Sequence, residues 1–277
     1  MITKLQTRTG WLSYYASLDH DLEVFLSEYL APLVLDERRD GHLKRFFFIR
    51  YTEETLQLRM RFLPTCFEWA EQIEGRLVRA IEDFNGRFAA ERAALLKQIP
   101  YDRSLYFGET MRSVYSELLN EHTSRFAFRL LHLYSGQRAK LFVLLTFVLH
   151  RILSEIMAPG DTLAALAEKS FEFASKAIVD LELPPLVLDA TRANSISGSL
   201  LSISGNARHA LQGDPDIRMV VRLLQRVQKL PDGAFVRIHS LHLLANKLGF
   251  SLADECLIFT LLKEMMSGAP GMKRSEP

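Results

Sequence analysis

Two extended runs, FFFIRY (46–51) and LQLRMRF (56–62), lie on either side of a short polar turn, Thr52-Glu53-Glu54-Thr55. In the second run Leu58, Met60 and Phe62 alternate with Gln57, Arg59 and Arg61. Such alternation belongs to a strand with unlike faces. It predicts a β-hairpin with an apolar stripe on one side and both arginines on the other. The aromatic run WLSYYASL (11–18) predicts a further strand upstream.

The rest of the chain has helical spacing. Over residues 19–40, Leu22, Phe25, Leu26, Tyr29 and Leu30 share a face, and Asp19 or Asp21 is placed to cap the start. Residues 66–99 read as helical through Phe67, Ala70, Ile73, Leu77, Ala80, Ile81 and Phe84, with Gly86 as a bend. IPYDRSLYFGE (99–109) reads as a connector. Beyond Gly108 the pattern predicts helices over roughly 109–134, 137–157, 161–181, 195–211, 214–229, 235–249 and 251–268. Residues 184–192 form a linker between two of them, and residues 269–277 a disordered tail. A mixed N-terminal part followed by helices predicts an α+β fold. We expect a small, mostly antiparallel N-terminal sheet packed against a predominantly helical C-terminal region, in a single domain over 1–268.

Net charge is +1, so no global field draws the chain to nucleic acid or an anionic membrane. The most apolar segment, LFVLLTFVLH (141–150), is too short to cross a bilayer and reads as a buried core helix. The N-terminus lacks the apolar run of a signal peptide, and the expected location is the cytoplasm with reduced thiols. Cys66 and Cys256 are far apart and lack ligand spacing, so neither zinc nor another metal is expected, and no flavin or nucleotide motif is evident.

Two clusters carry candidate chemistry. By pattern alone, Arg59 and Arg61 sit on a solvated sheet face. With Arg50 close by in the hairpin, they could equally offer planar, permanently charged forks to a carboxylate or developing oxyanion. In RIHSLHLLANKLGF (237–250), His239, His242 and Asn246 are spaced i, i+3, i+7 and share one helix face. They read either as surface polar residues or as a proton-transfer histidine oriented by an amide.

These residues together resemble the C-terminal domain of lantibiotic dehydratases and its standalone relatives, the thiopeptide-type bacteriocin biosynthesis proteins. The resemblance covers nearly the whole chain. The run Trp11-Leu12-Ser13-Tyr14-Tyr15 resembles the family's W-x-y-y start, Arg50 and Tyr51 match its R-Y pair, and Arg59 and Arg61 its R-x-R pair. Gln57 stands where the family usually has His. PYDRSLYFGE matches a later family segment at Phe107 and Gly108, with Tyr106 in place of an Arg. HLLANKL places His242, Asn246 and Lys247 on an H-M-x-x-N-R-L motif.

The resemblance implies an enzyme of ribosomal-peptide maturation without a cofactor. One branch eliminates glutamate from glutamylated Ser or Thr, and another joins two dehydroalanines in a formal 4+2 cycloaddition that builds a pyridine. A non-catalytic, peptide-binding subunit is a third alternative. Arg59, Arg61 and His242 are then the expected catalytic residues, and Arg50, Tyr51, Gln57, Tyr106 and Asn246 the expected substrate contacts. The implied partners are a precursor peptide with its leader and a separate glutamylating dehydratase subunit, since the tRNA-dependent step belongs to longer proteins. Related proteins are often dimers, and the aromatic first strand is the candidate interface.

Overall fold

A computed structural model describes residues 10–18, 21–52, 56–87, 93–98, 110–157, 163–180, 211, 213–230 and 233–266. The fold is α+β, as expected. The chain divides into two compact units: Met1–Gly136 with Asn246–Gly249, and Gln137–Ala245 with Phe250–Pro277.

The first unit holds an antiparallel sheet of four strands: β1 (Leu12–Leu18), β2 (Leu43–Thr52), β3 (Leu56–Pro64) and β4 (Ala93–Gln98), in the order β2-β3-β1-β4. The fourth strand corrects the helix expected through residue 99. Helix α3 (Ala70–Arg87) ends before this segment, and β4 pairs antiparallel with β1 instead. A short run such as AALLKQ carries no decisive period, and the open edge of β1 decides its structure.

The even-numbered residues of β3, Leu58, Met60 and Phe62, are fully buried with Tyr14 and Ala16 of β1 and Phe46 and Phe48 of β2. Helical layers cover this stripe. One is a continuous helical run made of α1 (Leu22–Val24), a π-helical stretch (Phe25–Leu30) and α2 (Ala31–Arg39). The widened stretch lies just before Pro32, whose missing N–H removes one bond from the ladder. Asp21 begins the run at φ 48° without a side-chain cap bond, so it does not act as the expected cap, and Asp19 lies outside the described residues. Phe25 meets Phe84 of α3 edge-on at 5.5 Å, and the Tyr14 hydroxyl donates to Glu74 of α3 at 3.1 Å. Buried Glu37 ties α2 to the start of β2 and to α3: Arg76 donates to it at 2.7 Å, and His42 lies 3.0 Å away.

Strand β2 is an edge strand, which leaves every second backbone group without a strand partner. Helix α4 (Thr110–Tyr134) fills part of that gap. The N–H of Phe48 donates to Ser124 Oγ at 3.2 Å, and Phe128 stacks on Phe46 and Phe48 at 5.7 and 5.2 Å.

The second unit is helical: α5 (Arg138–Glu155), α6 (Leu163–Asp180), α7 (Pro215–Val227), α8 (Gly233–Lys247, whose last two residues belong to the first unit) and α9 (Leu252–Met266). The apolar segment expected to be a core helix is α5, with Leu145, Leu149 and Ile152 fully buried. Asp214 caps α7 by accepting from the N–H groups of Asp216 and Ile217 at 2.9 and 3.0 Å. Among the described residues no helix is long and apolar enough to cross a membrane. The expected helix over 195–211 (except Leu211), the linker and the tail lie outside the described residues.

Helix α8 ends on Gly249 at φ +82°, where a Cβ would stand 2.7 Å from Arg50 Nη1 and 2.8 Å from Glu23 Oε1. Those two atoms form an ion pair at 2.8 Å. Gly249→Ala therefore combines left-handed strain with displacement of that pair, and we expect a loss of about 1–3 kcal/mol of stability. Both tryptophans, Trp11 and Trp69, lie in the first unit, so the midpoint of a urea titration followed by tryptophan fluorescence reads this loss.

Candidate active site

The register of β3 builds the site. Arg59 stands opposite Tyr15 of β1 and Ile49 of β2, Arg61 opposite Ser13 and Phe47, and Gln57 opposite Ser17 and Tyr51. All nine share the face away from the apolar stripe. The Arg59 guanidinium carbon lies 3.4 Å from the centroid of the Tyr51 ring and 4.8 Å from that of Tyr15. Arg61 donates to the Tyr15 hydroxyl at 3.3 Å and to the carbonyl of Met60 at 3.0 Å. Tyr15 thus touches both cations, and the aromatic faces and a hydroxyl hold the two guanidiniums in place.

This face is less solvated than alternation alone suggests: its Arg61 end is buried, while Tyr15, Ser17, Tyr51, Gln57 and Arg59 are half-buried. Arg61 is 3% exposed, and Ser13 and Phe47 are 1% exposed. Trp11 packs edge-on to Phe47 at 5.2 Å. Away from bulk water, oriented guanidiniums act more strongly on an anion than they would on a wet surface.

Arg50 is not part of this group. It stands opposite Leu58, on the other face of the sheet, where its side chain pairs with Glu23. The cause is the hairpin register. Thr52 pairs with Leu56, so three residues connect the strands rather than the four of the expected turn. A shift of one residue moves a side chain to the opposite face.

Asn246 also has a different task from orienting His242. Its Oδ1 accepts from the N–H of Arg50 at 3.0 Å, and its Nδ2 donates to the carbonyl of Arg50 at 2.9 Å. The carboxamide thereby supplies the bonds that a neighbouring strand would give the β2 edge. Next to it, Lys247 is fully buried and donates to Asn120 Oδ1 at 2.7 Å. Burial pushes its amine well below the usual lysine range.

His242 lies on α8 in the second unit, with the His239 ring 5.8 Å away. Its Nδ1 is 2.9 and 3.0 Å from the two carboxyl oxygens of Glu255 on α9. Glu255 is 1% exposed, and burial pushes its carboxyl up while the His242 charge opposes that shift. Glu255 lies in none of the motifs that carry the resemblance, and Tyr15, the last residue of the aromatic run W-L-S-Y-Y, has no expected role there. The alternation in WLSYYASL carries a signal for Tyr15. For Glu255 the signal is a capping box, Ser251 with Asp254, which starts α9 soon after Gly249 ends α8. Tyr106 lies outside the described residues. Among the described residues no group of three His, Cys, Asp or Glu side chains is arranged to hold a metal ion.

A search of curated proteins finds no match. The solved structures are more informative. TsrL is similar with a TM-score of 0.61 at 15% identity, over 93% of this chain and 95% of TsrL. The tRNA-dependent lantibiotic dehydratase MibB from Microbispora sp. 107891 gives 0.61 at 18% identity, over 93% of this chain but 28% of MibB. TbtD, the pyridine synthase from thiomuracin biosynthesis, gives 0.57 at 14% identity, over 95% of this chain and all of TbtD (100%). At such identities the likeness establishes a shared fold. The family follows from the sequence itself: the model for the lantibiotic biosynthesis dehydratase C-terminal domain matches residues 11–266, from the tryptophan before β1 to the last turn of α9, and the chain belongs to that family.

Proposed function

We propose that the chain is a tailoring enzyme for ribosomally made peptides, and that it eliminates glutamate from glutamylated Ser or Thr side chains. Family membership supports the general role. The observation that carries the specific reaction is the guanidinium pair of Arg59 and Arg61, held on one face by Tyr15 and Tyr51, with Arg61 buried and Arg59 half-buried.

Elimination breaks the Cα–H and Cβ–O bonds of the modified residue and forms the Cα=Cβ bond. The proton passes to a base, and glutamate departs as a carboxylate. Negative charge grows first toward the peptide carbonyl and then on the leaving group. Preorganised cations are the strongest means of stabilising such charge. Arg59 and Arg61 take that role, with Tyr51 and Gln57 as substrate contacts beside them. His242 is the proton-transfer group. Tyr106 is retained as a substrate contact, whereas Arg50 and Asn246 support the site by securing the β2 edge. The partners are a precursor peptide and a separate glutamylating protein, and the cytoplasm is the proposed location.

Gln57 favours a second reading. Where the family usually has His the chain carries an amide, and the pyridine synthase TbtD resembles it over 95% of its length. On that basis pyridine-forming cycloaddition is the alternative. Two substrates separate the readings by mass spectrometry. A pre-glutamylated peptide that loses one glutamic acid per modified residue supports elimination. A dehydroalanine-rich peptide that is converted with release of its leader, while the glutamylated peptide stays intact, establishes cycloaddition instead.

A further inference from the structure

Glu255 reaches His242 through a built arrangement. Helix α8 stops at Gly249, where the N–H of Phe250 bonds back to the carbonyl of Ala245 at 3.1 Å. Helix α9 starts at once. The Ser251 N–H donates to Asp254 Oδ2 at 2.9 Å, and the Asp254 N–H donates to Ser251 Oγ at 3.2 Å, which closes a capping box. Arg138 of α5 holds the same Asp254 oxygen at 2.8 Å and lies over the Phe250 ring at 5.1 Å. The first turn of α9 is therefore pinned from both sides, and Glu255 is the next residue. Both of its oxygens lie within 3.0 Å of one imidazole nitrogen. That is the geometry of a carboxylate accepting a single N–H.

A neutral imidazole carries one N–H and one lone pair, and the hydrogen bond at one nitrogen decides which is which. Glu255 is almost wholly buried, whereas the His242 side chain is 22% exposed. The carboxylate thus stands on the inner side of a partly accessible ring. We infer that Glu255 is the positioning residue of His242: it holds Nδ1–H, fixes the ring plane, and makes Nε2 the basic nitrogen. The inference rests on the proton-transfer role proposed for His242, but the tautomer it fixes can be measured without substrate.

The experiment uses the full chain labelled with ¹⁵N in histidine, with the His242 signals assigned by their loss in His242→Gln. Imidazole ¹⁵N shifts distinguish the Nδ1–H form from the Nε2–H form. We expect wild type in the Nδ1–H form, and Glu255→Gln with that preference lost, because a carboxamide can either donate or accept. Glutamate release by Glu255→Gln should fall by about 10²-fold in kcat with the KM for peptide unchanged. Glu255→Asp, which keeps the charge, should recover part of both the tautomer preference and the rate. If Glu255→Gln fails to fold, the Glu255→Asp comparison and the wild-type spectrum still decide the matter. A wild-type ring in the Nε2–H form, or a Glu255→Gln protein that keeps both tautomer and rate, overturns the inference. A fixed Nδ1–H tautomer in a wild-type protein that releases no glutamate leaves the positioning intact and overturns the elimination reading alone.

Discussion

Arg59→Ala should lower kcat for glutamate release by about 10²–10³-fold, the usual loss when one preorganised oxyanion donor is removed. The effect should fall on kcat more than on KM, because the charge that Arg59 answers develops mainly in the transition state. Substitutions at its aromatic partner sharpen the test. Tyr51→Phe keeps the ring 3.4 Å from the guanidinium and should stay near the wild-type rate, whereas Tyr51→Leu removes it and should lose a large part of the Arg59 effect. Arg59→Lys keeps the charge but lacks the planar fork and the stacking surface, so it should restore only part of the rate. Steady-state release of free glutamate from a glutamylated peptide measures all four variants. An Arg59→Ala protein with wild-type kinetics removes the arginine face from the mechanism.

Asn246→Ala should cost about 2–4 kcal/mol of stability in the first unit. The substitution deletes both hydrogen bonds to the backbone of Arg50 and strands a donor and an acceptor on the β2 edge. Asn246→Asp is expected to help little. One oxygen still accepts from the Arg50 N–H, but the other then faces the Arg50 carbonyl without a proton to share. Tryptophan-detected urea unfolding reports the change through Trp11 and Trp69. A helix-content probe should report a smaller midpoint shift, because much of the helix belongs to the second unit. An unchanged tryptophan midpoint in Asn246→Ala means that water replaces the amide at no cost and that the edge does not depend on it.

The sequence shows the hairpin and its two faces because strand alternation is a local property. Leu58, Met60 and Phe62 are buried together, and Gln57, Arg59 and Arg61 share the other face, as the pattern requires. The helices after Gly108 are legible too, most clearly α7, where Ile217, Val220, Val221, Leu224 and Val227 recur at helical spacing and are buried together. Three features are not legible: two depend on partners far away in the chain and one on the length of a turn. Segment 93–98 becomes a strand because β1 offers it an edge. Arg50 points to the core face because the connection to Leu56 is one residue shorter than the polar stretch suggests. Asn246 serves a strand 196 residues away, although i, i+4 spacing alone pairs it with His242. The resemblance to the dehydratase family supplies the proposed site positions on β3 and α8. It does not supply Glu255, which lies outside the motifs that carry it, and it gives no role to Tyr15, although the W-L-S-Y-Y run ends on that residue.

The central proposal is that this chain converts a glutamylated residue into a dehydroamino acid and sets free a whole glutamate. Intact-mass spectrometry of a purified glutamylated peptide, with free glutamate quantified in the same reaction, tests it most directly. The expected result is one glutamate released per Cα=Cβ bond formed, with the new bond confirmed by thiol addition. A peptide that stays at its glutamylated mass, or that releases glutamate and returns to unmodified Ser or Thr, contradicts it.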